Sequence, residues 1–235
     1  MPNKRKSSVI RTMFFLFLFL FGSGTHLILC AWEEKRSDHF VIQHHPKNET
    51  LAESVLHSLE KAYPLVTMDI GYTVQQQIRV YITISDREFQ TLTRNALPDW
   101  GIGCAFPDSW LIVLKAEPET VSGGRLNQIA VHELTHVVLG QALRGKRAPR
   151  WFDEGLAMYE SHEWDFNQSF IMAKAVFTRS IIPLKRIDYV LSFNREKAQL
   201  AYAQSLLAVS YLIKEYGLEK FHDIVRTLAK TGDIV

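Results

Sequence analysis

The chain has 235 residues, of which 47% are hydrophobic and 22% charged, enough apolar material for one sizeable core and too little charge for a disordered protein. Its formal charge is +2, but residues 1–31 hold four basic and no acidic side chains, so the remainder carries −2. That balance gives no reason to expect nucleic acid as a partner, and two cysteines exclude both a disulfide framework and a cysteine-rich zinc fold.

Lys4, Arg5, Lys6 and Arg11 precede a Phe/Leu run over 13–21, and Gly22-Ser23-Gly24 follows. This pattern predicts a secretory signal peptide, cleaved after Gly24 or near Cys30-Ala31. The alternative is an uncleaved membrane anchor over residues 13–31, because Leu27-Ile28-Leu29 extends the apolar stretch. Either way the protein is expected to be exported, in a periplasmic, extracellular or outward-facing anchored form. Residues 32–235 are the expected folded domain.

Phe40–His44 reads as a short strand. Leu51, Ala52, Val55, Leu56, Leu59, Ala62, Tyr63 and Val66 recur at helical spacing, predicting an amphipathic helix over 49–66 that Pro64 ends or kinks. His39, His44 and His45 lack an evident third ligand and read as exposed or core-satisfied histidines. The β-branched run 78–84 predicts a strand, and Ser85 with Glu88 forms a capping box that starts a helix. Cys104 reads as a free, partly buried thiol. Residues 110–115 predict another strand, and from Ser122 onward the pattern is helical. The segment 101–106 just before that strand contains small residues, Gly103 and Ala105 among them. Such residues would let a second backbone come close, and the alternative is an ordinary glycine-containing loop.

His132-Glu133-Leu134-Thr135-His136 lies in a segment apolar on nearly every side, the mark of a buried helix. Residues i and i+4 share a helix face, so both imidazoles can reach one metal ion, for which Zn²⁺ is the expected cofactor. Glu133 lies about 100° round the helix, a position suited to a general base acting on a metal-activated water. Burying two histidines and a glutamate without partners would be costly, and a metal is the economical partner. Gly145 can terminate this helix and Pro149 can start the next, whose first turn would aim Glu154 back at the histidines. Two His, one Glu and an open position make a standard catalytic zinc set. Arg144, Lys146, Arg147 and Arg150 form a basic cluster that reads as a solvated loop between the helices. Asp153 is either a support for a ligating histidine or a helix-start residue favoured by the macrodipole, and His162 with Glu160 and Glu163 reads as a polar helix face.

His132-Glu133-Leu134-Thr135-His136 followed by Trp151-Phe152-Asp153-Glu154-Gly155-Leu156-Ala157 resembles the gluzincin metallopeptidases, and most of all the small peptidase MA-like domains. The resemblance implies an α+β zincin-like fold: a small mixed β-sheet half followed by a helical half that carries the metal. It makes Glu154 the third zinc ligand, assigns peptide-bond hydrolysis with Glu133 as base, and implies a peptide or protein substrate lying along an edge strand near Gly103 and Ala105. The aminopeptidase branch has one more residue between the second histidine and this glutamate, and its exopeptidase signature is missing here. Segments similar to Ala201-Tyr202-Ala203-Gln204-Ser205 and Tyr211–Gly217 follow the metal site in that family. The stripe Ala198, Ala201, Tyr202, Ser205, Val209, Leu212, Tyr216 turns Tyr202 inward. Its hydroxyl is then an oxyanion donor by resemblance, or a core tyrosine satisfied locally. Two rival functions remain: an inactive zinc-containing peptide-binding module, which an intact Glu133 disfavours, and a zinc hydrolase of a non-peptide amide or ester. Family members usually continue with more helices after the pattern over 218–230, so a C-terminal truncation is also expected.

Overall fold

The computed structural model describes residues 32–94, 101–117, 124–163 and 166–232. The expected N-terminal targeting segment, residues 1–31, and the last three residues lie outside them. Among the described residues no helix is long and apolar enough to cross a membrane.

Strands β1 (Glu33–Arg36) and β2 (Phe40–His44) form an antiparallel pair. Helix α1 (Glu49–Ile70) then crosses over to β3 (Ile78–Thr83), which lies parallel to β2. Its buried residues Ala52, Val55, Leu59, Tyr63, Val66 and Ile70 are three or four apart, the period of one helix face. Pro64 does not end this helix, which runs on to Ile70 and closes on Gly71 with φ +73°. Pro64 is exposed, so the Glu60 carbonyl that loses an amide partner there can turn to water.

Helix α2 (Asp86–Thr93) starts where the capping box predicts, with the Ser85 side chain accepting from the Glu88 amide at 3.3 Å. The Glu88 carboxylate reaches the Ile84 amide at 3.0 Å, and its other oxygen stands 3.0 Å from His45 Nε2. With His44 Nδ1 3.0 Å from the His45 carbonyl and His39 Nδ1 2.8 Å from Glu60, the second histidine group is satisfied locally.

Strands β4 (Gly103–Phe106) and β5 (Leu111–Lys115) complete a mixed sheet of order β1-β2-β3-β5-β4, so β4 is an edge strand, as one of the two readings expected. β5 is parallel to β3 and β4 antiparallel to β5. One sheet face buries Phe40, Ile42, Val80, Ile82, Ile112 and Leu114 against the helices, while Val113 and Cys104 meet Phe89 of α2 on the other.

The helical half follows. Helix α3 (Arg125–Ala142) is buried by α1, by the sheet and by α4 (Arg150–Glu160). Then come α5 (Phe166–Phe177), the short α6 (Leu184–Ile187) and α7 (Arg195–Thr231), which breaks at Gly217 where φ is +75° and ψ 167°. The break returns Phe221, Val225 and Leu228 to the main core. It also limits the inward stripe on α7: Tyr216, expected inward, is 55% exposed and meets Tyr211 edge to face. This α+β order places the sheet edge on one side of α3 and α4 on the other, with a cleft between.

Candidate metal centre

His132, Glu133 and His136 sit mid-way along α3. The helix ends at Ala142, Gly145 turns the chain with φ +82°, and Pro149 caps α4. α4 begins at Arg150, so Glu154 is its fifth residue, just past the expected first turn. Its Oε2 nevertheless faces the histidines, 3.6 Å from His132 Nε2 and 3.9 Å from His136 Nε2. Among the described residues, His132, His136 and Glu154 are the one group of three whose donor atoms converge, all within 4.8 Å of one another.

Both imidazoles are oriented from behind. His136 Nδ1 is 2.7 Å from Asp153 Oδ1, and His132 Nδ1 is 2.7 Å from Glu163 Oε1. Each Nδ1–H donates to its carboxylate, leaving the Nε2 lone pair for the common point. Asp153 is thus a support residue, the first of its two expected roles. Glu163 departs from the expected helix face. α4 stops at Glu160, His162 takes a left-handed turn with φ 55°, and Gln128 Nε2 donates to the Ser161 and His162 carbonyls at 3.1 Å, bringing Glu163 onto His132. No periodicity reports this, because the approach is made by a turn. Arg150 was likewise assigned to a loop, yet its guanidinium is 3.3 Å from Glu154 Oε1, the oxygen turned away from the histidines.

The donor set fits a cation. Burial opposes protonation of His132, but the Glu154 and Glu163 carboxylates outweigh it and hold its pKa well above the ordinary value. Burial is likewise outweighed at His136 by Asp153, which takes it to about 9. Glu154 resists its own burial and falls to about 2 beside the two imidazoles and Arg150. The carboxylates around the imidazoles call for positive charge at their centre, and without a metal, protons on the histidines supply it.

Glu133 is buried, with 8% exposure. Burial raises its pKa, the two histidines oppose that rise, and Glu154 and Asp153 add to it. Edge strand β4 passes directly over it: a Cβ at Gly103 would come within 2.5 Å of Glu133 Oε1. Gly103 and Ala105 therefore line the same cleft, of about 650 Å³, as the histidines. Tyr202 lines it from α7, and burial and the charge of Glu154 push its phenol up to about 12. Its hydroxyl makes no hydrogen bond to a described residue, unlike a tyrosine satisfied locally. Cys104 points to the α2 side, where burial and then Glu133 raise its thiol to about 12, far from a reactive thiolate.

The chain is similar to "Uncharacterized protein YhcO" of Bacillus subtilis (strain 168), with 23% identity over 202 residues. That alignment covers 80% of this chain and 60% of the relative, so the chain spans less than two thirds of the relative's length. Residues 60–234 match the family model of the peptidase MA superfamily, a stretch holding the converging histidines, Glu154 and the sheet edge. The chain therefore belongs to the peptidase MA superfamily.

Proposed function

We propose that this protein is an exported zinc-dependent metallopeptidase. The observation that carries the reading is the convergence of His132, His136 and Glu154 with a buried Glu133 beside them and an edge strand above. His132 Nε2, His136 Nε2 and Glu154 Oε2 would hold the ion, and two imidazoles with one carboxylate suit Zn²⁺. Bound there, zinc would polarise a substrate carbonyl and lower the pKa of water beside it.

The chain's own groups do the rest. β4 receives an extended peptide at its free edge, where the small Gly103 and Ala105 let a second backbone approach. Glu133 takes the proton that the attacking water loses and passes it to the leaving amine, a task suited to a carboxyl whose pKa burial raises. Tyr202 keeps its proton and donates it as a hydrogen bond to the carbonyl oxygen as negative charge grows there. Asp153 and Glu163 keep both imidazoles facing the centre.

The test pairs wild type with Glu133→Gln. One zinc per chain is expected in both, with peptide cleavage lower by about a hundredfold or more in the variant. Full cleavage by the variant would remove Glu133 from the chemistry. Zinc with no cleavage of any peptide by wild type would instead favour a peptide-binding module or a non-peptide amide or ester substrate. Export rests on the basic and apolar pattern of residues 1–31, and recovery of the protein in the cytosolic fraction alone would reject it.

A further inference from the structure

Four cations line the cleft: Arg125, Lys146, Arg147 and Arg150. Arg150 is held by Glu154. Arg125, Lys146 and Arg147 are exposed, and among the described residues no carboxylate lies within ion-pair reach of any of them. Of the acids of the same cleft, Asp153 is held by His136, Glu163 by His132 and Glu154 by both histidines and Arg150, while Glu133 is buried beneath Gly103.

These three cations stand at the two ends of the cleft. β4 runs along α3, with Gly103 against Ile129 and Glu133, and Pro107, just past β4, against Gly140. The Gln141 amide fixes that second end by donating to the Pro107 carbonyl at 2.7 Å. Arg125 is the first residue of α3, about 10 Å along the axis from His132. Lys146 and Arg147 lie beyond the other end of the helix. A helix macrodipole accounts for cations at a C-terminus, but it disfavours Arg125 at the N-terminus. Nor is the rim part of a generally basic surface, since residues 32–235 carry a net −2.

We propose that the cleft selects peptides with carboxylates on either side of the bond at the metal centre, Arg125 receiving one and Lys146 with Arg147 the other. The carboxylates are aspartate or glutamate side chains or, at one end, the peptide's own C-terminus. That the ligand is a peptide rests on the proposed function above; that it is anionic rests on the rim.

The experiment uses the full-length, zinc-loaded chain carrying Glu133→Gln, so that binding is read without turnover. Fluorescent peptides with an apolar centre flanked by Asp/Glu, by Asn/Gln or by Lys are compared by anisotropy at about 0.02 and 0.2 M salt, each with a free and an amidated C-terminus. The acidic peptide is expected to bind roughly fivefold to tenfold more tightly than its amide counterpart at low salt, with the gap narrowing at high salt. Lys146→Gln with Arg147→Gln, and separately Arg125→Gln, should each remove part of that gap. A gap that survives with amidated ends assigns it to Asp and Glu, and an acidic peptide that binds more tightly with a free end than with an amidated one assigns one of the carboxylates to the C-terminus. Equal binding of the three peptides, no binding by any, or a preference untouched by the rim variants would overturn the proposal. Cleavage by wild type separates the two readings: cleavage without acidic preference overturns the selectivity alone, and acidic-selective binding without cleavage overturns the peptidase alone.

Discussion

Asp153 and Glu163 each take the Nδ1 proton of one imidazole, and neither contacts the point where the Nε2 atoms converge. Their effect is on orientation and basicity, so Asp153→Asn and Glu163→Gln should each weaken zinc affinity by about tenfold to a hundredfold, read by competition with a chelator. Unchanged affinity in both would mean that the imidazoles are held by packing alone. Gly103 acts on Glu133 instead, the proposed base. A methyl group there would meet Glu133 Oε1 at 2.5 Å and Ile129 Cγ2 at 2.8 Å. Gly103→Ala is expected to keep its zinc and lose most of its turnover number, because a displaced carboxylate no longer reaches the water. Normal turnover in that variant would show that Glu133 has room to move. The histidines, Glu133 and Glu154 were legible in the sequence because a helix converts spacing into direction. Glu163 and Arg150 were not, since the first arrives by a left-handed turn and the second by a side chain reaching one turn along α4.

At the scale of elements, α4 meets the backbone of α7 at Gly155. A Cβ at Gly155 would lie 2.3 Å from the Ser205 carbonyl oxygen and 2.8 Å from Val209 Cγ2. The residue after the third donor is thus the contact that seats α4 on the helix bearing Tyr202. Gly155→Ala must push the helices apart, at a cost of about 1–3 kcal/mol, measurable as a lowered denaturation midpoint. A midpoint equal to wild type would show that the pair yields without strain. The periodicity of α1 was legible up to Val66, but its last turn was not: Pro64 removes one hydrogen bond and crowds the Glu60 carbonyl, and on the solvent face that carbonyl can turn to water while the helix continues. Tyr216 was assigned inward because periodicity carries no warning of the Gly217 break that follows it. β1, short and made of Glu33-Glu34-Lys35-Arg36, has no hydrophobic pattern at all, and only pairing with β2 makes it a strand.

Across the whole molecule, the ends of α1 and α4 meet through two carboxyls. Burial and the neighbouring Asp69 raise Glu160 to about 8, and Asp69 itself is raised, mainly by burial. His222, beyond the α7 break, joins them with Nε2 2.9 Å from the Met68 carbonyl. Between pH 4.5 and about 8 the folded Glu160 keeps a proton that the unfolded chain has released. Folding is therefore favoured below that window and loses stability as pH rises through it. Glu160→Gln keeps an N–H donor for Asp69 and does not titrate, so its Tm should match wild type near about pH 5 and exceed it above about pH 8. Parallel Tm curves would show that the pair is already hydrated. The α+β order was legible because strand and helix periods change sharply near residue 122. The contact among α1, α4 and α7 was not, because Asp69, Glu160 and His222 are brought together by packing over long separations.

Asp153 and Glu154 are neighbours in sequence with divided tasks, one behind His136 and the other in front of both imidazoles. Helical phase separates them by about 100°, and a single residue inserted ahead of them within α4 would turn Asp153 to where Glu154 points and carry Glu154 about 100° further round. The exposed turn at 144–147 carries no such constraint, because the direction of Glu154 is set by α4 after the turn has ended. Insertions and deletions can accumulate in that turn while the helix register stays fixed. A fixed residue count between the second histidine and the glutamate is therefore a poor criterion for recognising distant members of the superfamily.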